Sequence, residues 1–506
     1  MSKSLPTRPS LEQLRNQAKD LRKQCLAGDQ TAIERIRRIH PNLSAAGGGE
    51  LRLHEAQLVI AREYGFASWT KLKEHVESVL LETGEPLELF KQAFHGDDAP
   101  WLSKLLKRYP QFAPLRNEPI GPFDSPAILH VRSREMLEVL LEAGADINAK
   151  SRWWAGGFGV LHHASPDLAA YAIERGAVVD VHAAARLGML DRLRELITAN
   201  PQLVHARGGD GQTPLHFAST IPIAALLLDH GADLDARDVD HESTPAQWML
   251  KDRPDIARFL VQRGCRTDLL LAAALGDAAL VRQHLDADPD DIRVRVSEEF
   301  FPKINPKAGG TIYEWTLGGY ASPHEVARQF GHEEVFRLLM ERSPDDVKLI
   351  AGCWTGDEPT VKSLLQKHPK MVASLSADYC GQAARAARNN NLPAVRLMLA
   401  AGLPVDALGQ HRATALHWAA FQGNAEMTQE ILRYHPPLEL TDADFKSTPL
   451  GWAIYGSEKG WPYEQSDYAR TVELILQAGA KLPPKISGTA PVRDVLGRYG
   501  AREDRS

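Results

Sequence analysis

Residues 211–238 read GQTPLHFASTIPIAALLLDHGADLDARD. Thr213 is a good helix N-cap, and Pro214 follows at the first helical position, where its missing N–H costs nothing, so the spacing predicts a helix start. The apolar run Ile223 to Leu228 is followed by Gly231, the residue type that tolerates the left-handed conformation just past a helix, so a second helix is predicted to stop there. Two helices this short cannot bury their apolar faces alone, and the unit therefore needs copies of itself on both sides. A chain of 506 residues built this way lengthens by stacking and need not divide into several globular domains.

The copies are of two kinds. One carries a Gly-to-Pro interval: Asp180 to Pro201, DVHAAARLGMLDRLRELITANP, places Gly188 eight residues after the Asp and a proline thirteen residues later. The interval recurs at Gly276 to Pro289, Gly356 to Pro369 and Gly28 to Pro41, and with one extra residue at Gly96 to Pro110. The Gly closes one helix and the Pro prevents the next from continuing. The other kind appears at Ser125 (SPAILHV), Gly159 (GVLHHA), Thr213 (TPLHFA), Thr244 (TPAQWM), Ser322 (SPHEVA), Ala413 (ATALHWA) and Thr448 (TPLGWA).

Thr213, Pro214, Leu215, His216 and Ala218, with Gly231-Ala232-Asp233, make this stretch resemble the ankyrin repeat, with its T-P-L-H-x-A and G-A-D signatures. The resemblance implies an all-α solenoid of stacked helix pairs with β-hairpin fingers, about fourteen repeats including cryptic ones at a period of roughly 33 residues. Residues 1–83 are expected to be degenerate repeats that cap the array, with residues 18–83 stacking on residues 84–118 through an apolar interface. Residues 84–486 are expected to form the array, and 487–506 a truncated C-terminal capping repeat. Joins of four steps, Gly176 to Asp180 and Gly264 to Asp268, are too short for a finger, so the row of fingers is expected to have gaps. Two insertions interrupt the pattern, at 294–321, rich in aromatic residues among Gly and Pro, and at 457–467. Long loops in a repeat array are more often functional than decorative.

The formal charge of -6 and a pI near 6.4 argue against a nucleic-acid partner, whose grip depends on clustered Lys and Arg. The basic run Arg35, Arg37, Arg38 reads as a solvated helix face. No secretory signal and no membrane-spanning stretch is evident, so a cytoplasmic monomer without a membrane partner is expected. Cys25, Cys265, Cys353 and Cys380 are far apart and suggest neither a disulfide framework nor a zinc site.

Nineteen histidines raise the question of a metal or catalytic centre. For His130, His162, His216 and His417 the resemblance implies structural hydrogen bonding. His163 and His182 are candidates to line a groove, but no spacing supports a metal site. The acidic run Asp233, Asp235, Asp238, Asp240, Glu242 lacks the Gly and terminal Glu of a calcium loop and reads as a solvated finger. No nucleophile elbow, phosphate loop or dinucleotide fingerprint is present, so no catalytic residue, metal or cofactor is assigned and an enzyme is not indicated.

The resemblance implies a protein partner, recognised through the fingers and a concave face. The residues singled out for it are Trp153 and Trp154 beside Arg152, then Arg207, Asp210, Asp240 and His241, with Tyr313 and Trp315 of the insertion; Trp and Arg dominate binding hot spots. The alternative is a small-molecule ligand or an enzyme site in the groove under the 294–321 insertion. A third reading is an effector acting in another cell, for which the sequence holds no targeting evidence.

Overall fold

The computed structural model describes residues 3–6, 9–39, 51–83, 85–110, 117–460, 466–483 and 485–501. Pro41, and parts of the 457–467 insertion and of the two expected caps, lie outside them. The chain forms two compact units, residues 1–214 and 215–506. The expected boundary at residue 83 falls inside the first.

The described residues are helical and contain no strand. The expected pair around Pro214 is present as helices Pro214–Phe217 and Ile221–Asp229. Gly231 follows with φ of 89°. A Cβ there would meet no atom within 4 Å, so the demand for Gly is one of backbone conformation alone. Gly231→Val forces a β-branched residue into the left-handed region at a cost of roughly 1–2 kcal/mol. Faster hydrogen exchange in Ile221–Asp229 is the expected result, and unchanged exchange would refute the cap assignment.

The Gly-to-Pro interval works as anticipated where it is exact. Helix Leu269–Leu275 ends on left-handed Gly276, and Asp345–Thr355 ends on left-handed Gly356. Pro201 and Pro289 open short 3-10 turns after the helices Leu190–Ala199 and Ala278–Ala287. At Gly96, where the interval is one residue longer, the glycine stays right-handed at φ of -80° and Asp97 takes the left-handed position at 51°. The extra residue shifts the turn by one step.

Some first helices of the pairs are short and made of small or aliphatic residues, because they are covered on nearly every side. All seven residues of Leu269–Leu275 are buried, as are Ala383, Ala384, Ala386 and Ala387. Alanine lets neighbouring helices approach, and each buried Leu contributes about 1.5–3 kcal/mol. Asp180 and Asp268 cap such helices, accepting the N–H of Ala183 at 2.9 Å and of Leu271 at 2.8 Å.

The loops expected as β-hairpin fingers are tight turns without a ladder among the described residues. Each closes on a backbone bond: Gly208 N to Gln212 O at 2.8 Å, Asp238 N to Ser243 O at 3.1 Å, Gly409 N to Ala413 O at 2.9 Å and Asp442 N to Ser447 O at 3.2 Å. A loop this short must reverse at its tip, and non-glycine residues there take positive φ: Asp210 54°, Glu242 49°, His411 60° and Lys446 52°.

Within the first unit, residues 14–76 hold a core of their own around Leu21, Ile60 and Leu72. The join to the following helices carries charged bridges. Buried Asp98 accepts from Arg15 at 2.7 Å and Lys73 at 3.1 Å, and buried Glu77 from Lys104 at 2.6 Å.

Candidate functional site

In the first unit the finger 151–158 closes with Ser151 N donating to Phe158 O at 2.9 Å, and Arg152 N reaches Asp124 O on the preceding turn at 3.0 Å. Trp153 is half-buried, its ring edge-on to Phe123 at 5.2 Å, and Trp154 is 37% exposed. The guanidinium of Arg152 lies 3.7 Å from Glu118. The next turn adjoins this finger closely: a Cβ on Gly156 would stand 2.0 Å from Gly208 O, and one on Gly209 2.1 Å from the Phe158 ring. Arg207 and Asp210 therefore lie beside the tryptophan finger. Arg207 donates to Gly211 O at 2.7 Å, and Asp210 is buried at the turn tip.

The same unit holds His162, Asp180 and His182, whose donor atoms lie within 4.8 Å of one another. Their bonding is that of a repeat joint. His162 Nδ1 accepts the Gly159 N–H at 3.3 Å, and its Nε2–H donates to Asp180 at 3.3 Å. His182 Nε2–H donates to Ala206 O at 3.1 Å. A cation would have to break these bonds, so the trio reads as structural. Burial works against the Asp180 carboxylate, yet the His162 and Ala183 donors hold its pKa below the usual range.

Burial pushes the His182 imidazole down to about 4. The unfolded chain takes up that proton near the ordinary value of about 6.5, so the stabilisation is full above that pH and is lost as pH falls toward 4. Exchange protection in helix Val181–Arg186 is expected to weaken between about pH 7 and pH 5 after correction for intrinsic rates, and to weaken less in His182→Gln. An equal fall in both proteins would remove His182 from the account.

In the second unit the 294–321 insertion is seated on the finger 238–243. Gly309 N donates to Asp240 O at 2.8 Å, and His241 Nδ1 to Gly310 O at 2.8 Å. Glu242 accepts the N–H groups of Ile304 at 2.8 Å and Asn305 at 2.7 Å, and Ser243 Oγ that of Ile312 at 3.0 Å. Asp238 and Asp240, expected in a solvated finger, are buried because they accept backbone donors.

Tyr313 does not face solvent as a contact residue would: it is 0% exposed, edge-on to Phe301 at 5.3 Å, with its hydroxyl donating to Asp268 at 2.8 Å. Burial pushes its pKa well above the ordinary value, with the Asp268 carboxylate adding to the shift. It anchors the insertion. Trp315, two residues on, is 69% exposed. Between finger and insertion lies a cleft of about 500 Å³, lined among others by Gln247, Arg266, Asp268, Phe300 and Lys303.

A second cleft, of about 520 Å³, went unnoticed in the sequence and is lined by His411, Trp418, Phe421, Phe445, Trp452, Tyr455 and Lys459. Trp418 and Trp452 meet edge-on at 5.0 Å, and Trp452 Nε1 donates to Asp442 at 2.9 Å. Phe445 is 65% and Tyr455 61% exposed. The signal that could have found it is the pattern Asp-x-Asp-x-x-Ser-Thr-Pro-x-x-Trp, present at 238–248 and again at 442–452. The copies fold alike. The leading Asp accepts the Ser N–H at 2.8 Å in the first and 3.0 Å in the second, and the Trp Nε1–H at 3.2 and 2.9 Å. The ring at the loop tip, His241 or Phe445, stands edge-on to that Trp at 5.2 or 5.9 Å.

Comparison with known proteins gives one family: a profile of three ankyrin repeats matches residues 181–271 and 383–482. Ankyrin repeat and SAM domain-containing protein 6 of Mus musculus is 29% identical over 154 residues, which are 30% of this chain and 17% of that protein. Its namesake in Rattus norvegicus matches to the same extent. The chain thus spans less than a fifth of the length of these relatives.

Proposed function

We infer from the chain's membership of the ankyrin-repeat family that it recognises another protein, through the loops between its repeats and the concave side those loops would border. The observation that carries this reading is where the exposed aromatic side chains lie. Phe123, Trp154, Phe300, Trp315 and Phe445 are exposed and sit on loops joining helix pairs or on the insertion; of the other exposed rings, Tyr434 and Tyr499 stand at helix ends and Tyr455 lies on helix Pro449–Lys459. Exposed rings of this size are costly in solution unless something covers them, and they are the side chains that dominate binding hot spots. The reading of about fourteen repeats is supported by the succession of helix pairs from Leu11–Leu26 with Gln30–Ile39 to Pro449–Lys459 with Tyr468–Gln477, followed by Ala490–Arg498. Among the described residues no helix is long and apolar enough to cross a membrane.

Trp154→Ser tests the reading. Capture of the partner from the source cell is expected to weaken by about 2 kcal/mol or more, with the melting temperature unchanged. Trp153→Ser, which removes the ring packed on Phe123, is expected to lower stability as well. Intact capture by both variants would remove this finger from the interface.

A second reading rests on the cleft under the insertion, whose size of about 500 Å³ suits a small polar ligand. A thermal-shift screen of metabolites with wild type and Arg266→Ala separates it from the first: a shift lost in the variant supports it.

A further inference from the structure

The two copies of the Asp-x-Asp-x-x-Ser-Thr-Pro-x-x-Trp finger differ in what covers them. The first carries residues 304–312 of its own chain, which hold the His241 side chain to 12% exposure. The second leaves Phe445, the counterpart of His241, 65% exposed beside an open cleft. The chain therefore contains an example of how such a finger is used: an extended segment lies along it, giving backbone N–H groups to the residue after the tip ring and to the Ser hydroxyl. At the second copy the Ser is kept as Ser447, which lines the cleft, while Glu242 is replaced by Lys446.

We propose that the finger 442–447 and its aromatic cleft dock an extended acidic segment of a partner protein, with an apolar side chain entering between Phe445 and Tyr455 and carboxylates meeting Lys446 and Lys459. This proposal rests on the protein-recognition reading and names the chemistry of the partner. Charge selects the occupant. Lys459 is exposed on the lining, the finger's exposed carboxylate, Asp444, is already bonded to His411 Nδ1, and the Arg388 guanidinium lies 5.7 Å from the centre of the Trp418 ring. A methylated ammonium would have to compete with His411 for Asp444 and would otherwise meet cations. The lysine that replaces Glu242 removes one acceptor of N–H donors, leaving Asp444 as the counterpart of Asp240, and puts in its place a cation that can meet a carboxylate. Geometry favours a side-chain anchor. The cleft suits one or two large apolar groups, and Trp452 is fixed by Asp442 and by Trp418, so little ordering remains to be done on binding.

The experiment selects short random peptides displayed on phage against the full-length protein, then measures the best of them by fluorescence polarisation. Peptides with an aromatic or aliphatic residue flanked by Asp and Glu are expected. Their affinity should fall about tenfold or more in Phe445→Ser/Tyr455→Ser, and comparably in Lys446→Glu/Lys459→Glu. All four side chains are exposed, so the variants should keep the wild-type circular dichroism melt. A lysine-for-acid twin of the selected peptide should prefer the glutamate variant. Enrichment of basic peptides, no enrichment, or affinity unchanged in both variants would overturn the proposal. The broader reading is judged separately. If both variants still retain the partner that Trp154→Ser loses, the cleft proposal fails and protein recognition stands. If the wild type retains no partner, protein recognition itself fails.

Discussion

Replacing Tyr313 with Ala is expected to destabilise the region around residues 238–329 by about 3–5 kcal/mol and to open Lys303 and Lys307 to trypsin. Tyr313 is fully enclosed, so truncation leaves a cavity where the ring met Phe301. It also removes the hydroxyl that donates to Asp268, leaving Gln247 Nε2 at 3.3 Å and Leu271 N at 2.8 Å as donors. The insertion is otherwise held to the finger by a handful of hydrogen bonds, each worth about 1 kcal/mol, and these give way once the anchor is gone. Tyr313→Phe keeps the ring and should cost only about 1 kcal/mol. An unchanged melt together with protected lysines in Tyr313→Ala would show that the insertion is held by something else.

Deleting residues 1–83 is expected to cost the remaining chain its cooperative unfolding or its solubility. Asp98 is buried and would lose both Arg15 and Lys73, and Glu77 would be removed from Lys104. The deletion also opens Asp98 to water, so what is lost there is two partly exposed ion pairs, each worth up to about 1 kcal/mol. Burial alone would raise the Asp98 pKa, and these two cations hold it below the usual range, so the carboxylate is charged at neutral pH and feels their loss. The deleted segment, with its core around Leu21, Ile60 and Leu72, is expected to stay helical by itself. A truncated protein that melted as sharply as the whole would make residues 1–83 an independent domain.

The helix pairs were legible because their punctuation is local. Gly231, Gly276 and Gly356 each take the left-handed conformation that ends a helix, and Pro201 and Pro289 each start a new turn. Side-chain destinations were less legible. Nothing in EEFFPKINPKAGGTIYEW tells that Tyr313 is enclosed while Trp315 is 69% exposed, since both sit in one short turn and the difference is set by Asp268, far away in sequence. The acidic run from Asp233 to Glu242 reads as solvated, yet Asp238 is buried accepting N–H groups of its own tight turn, and Asp240 accepting that of Gly309 in the insertion. The aromatic cleft gathers Trp418, Phe445, Trp452 and Tyr455 from neighbouring repeats, so no window of sequence contains it. Its trace was the recurrence of one eleven-residue pattern at 238–248 and 442–452.

The central claim is that a protein partner is met by the loops between repeats. Hydrogen exchange of the full-length protein with and without its captured partner tests it most directly. Slowed exchange is predicted around Trp154, Trp315 and Phe445, with second helices such as Ile221–Asp229 and Ala425–Leu432 unchanged. Protection confined to those second helices, with the loops unchanged, would contradict it.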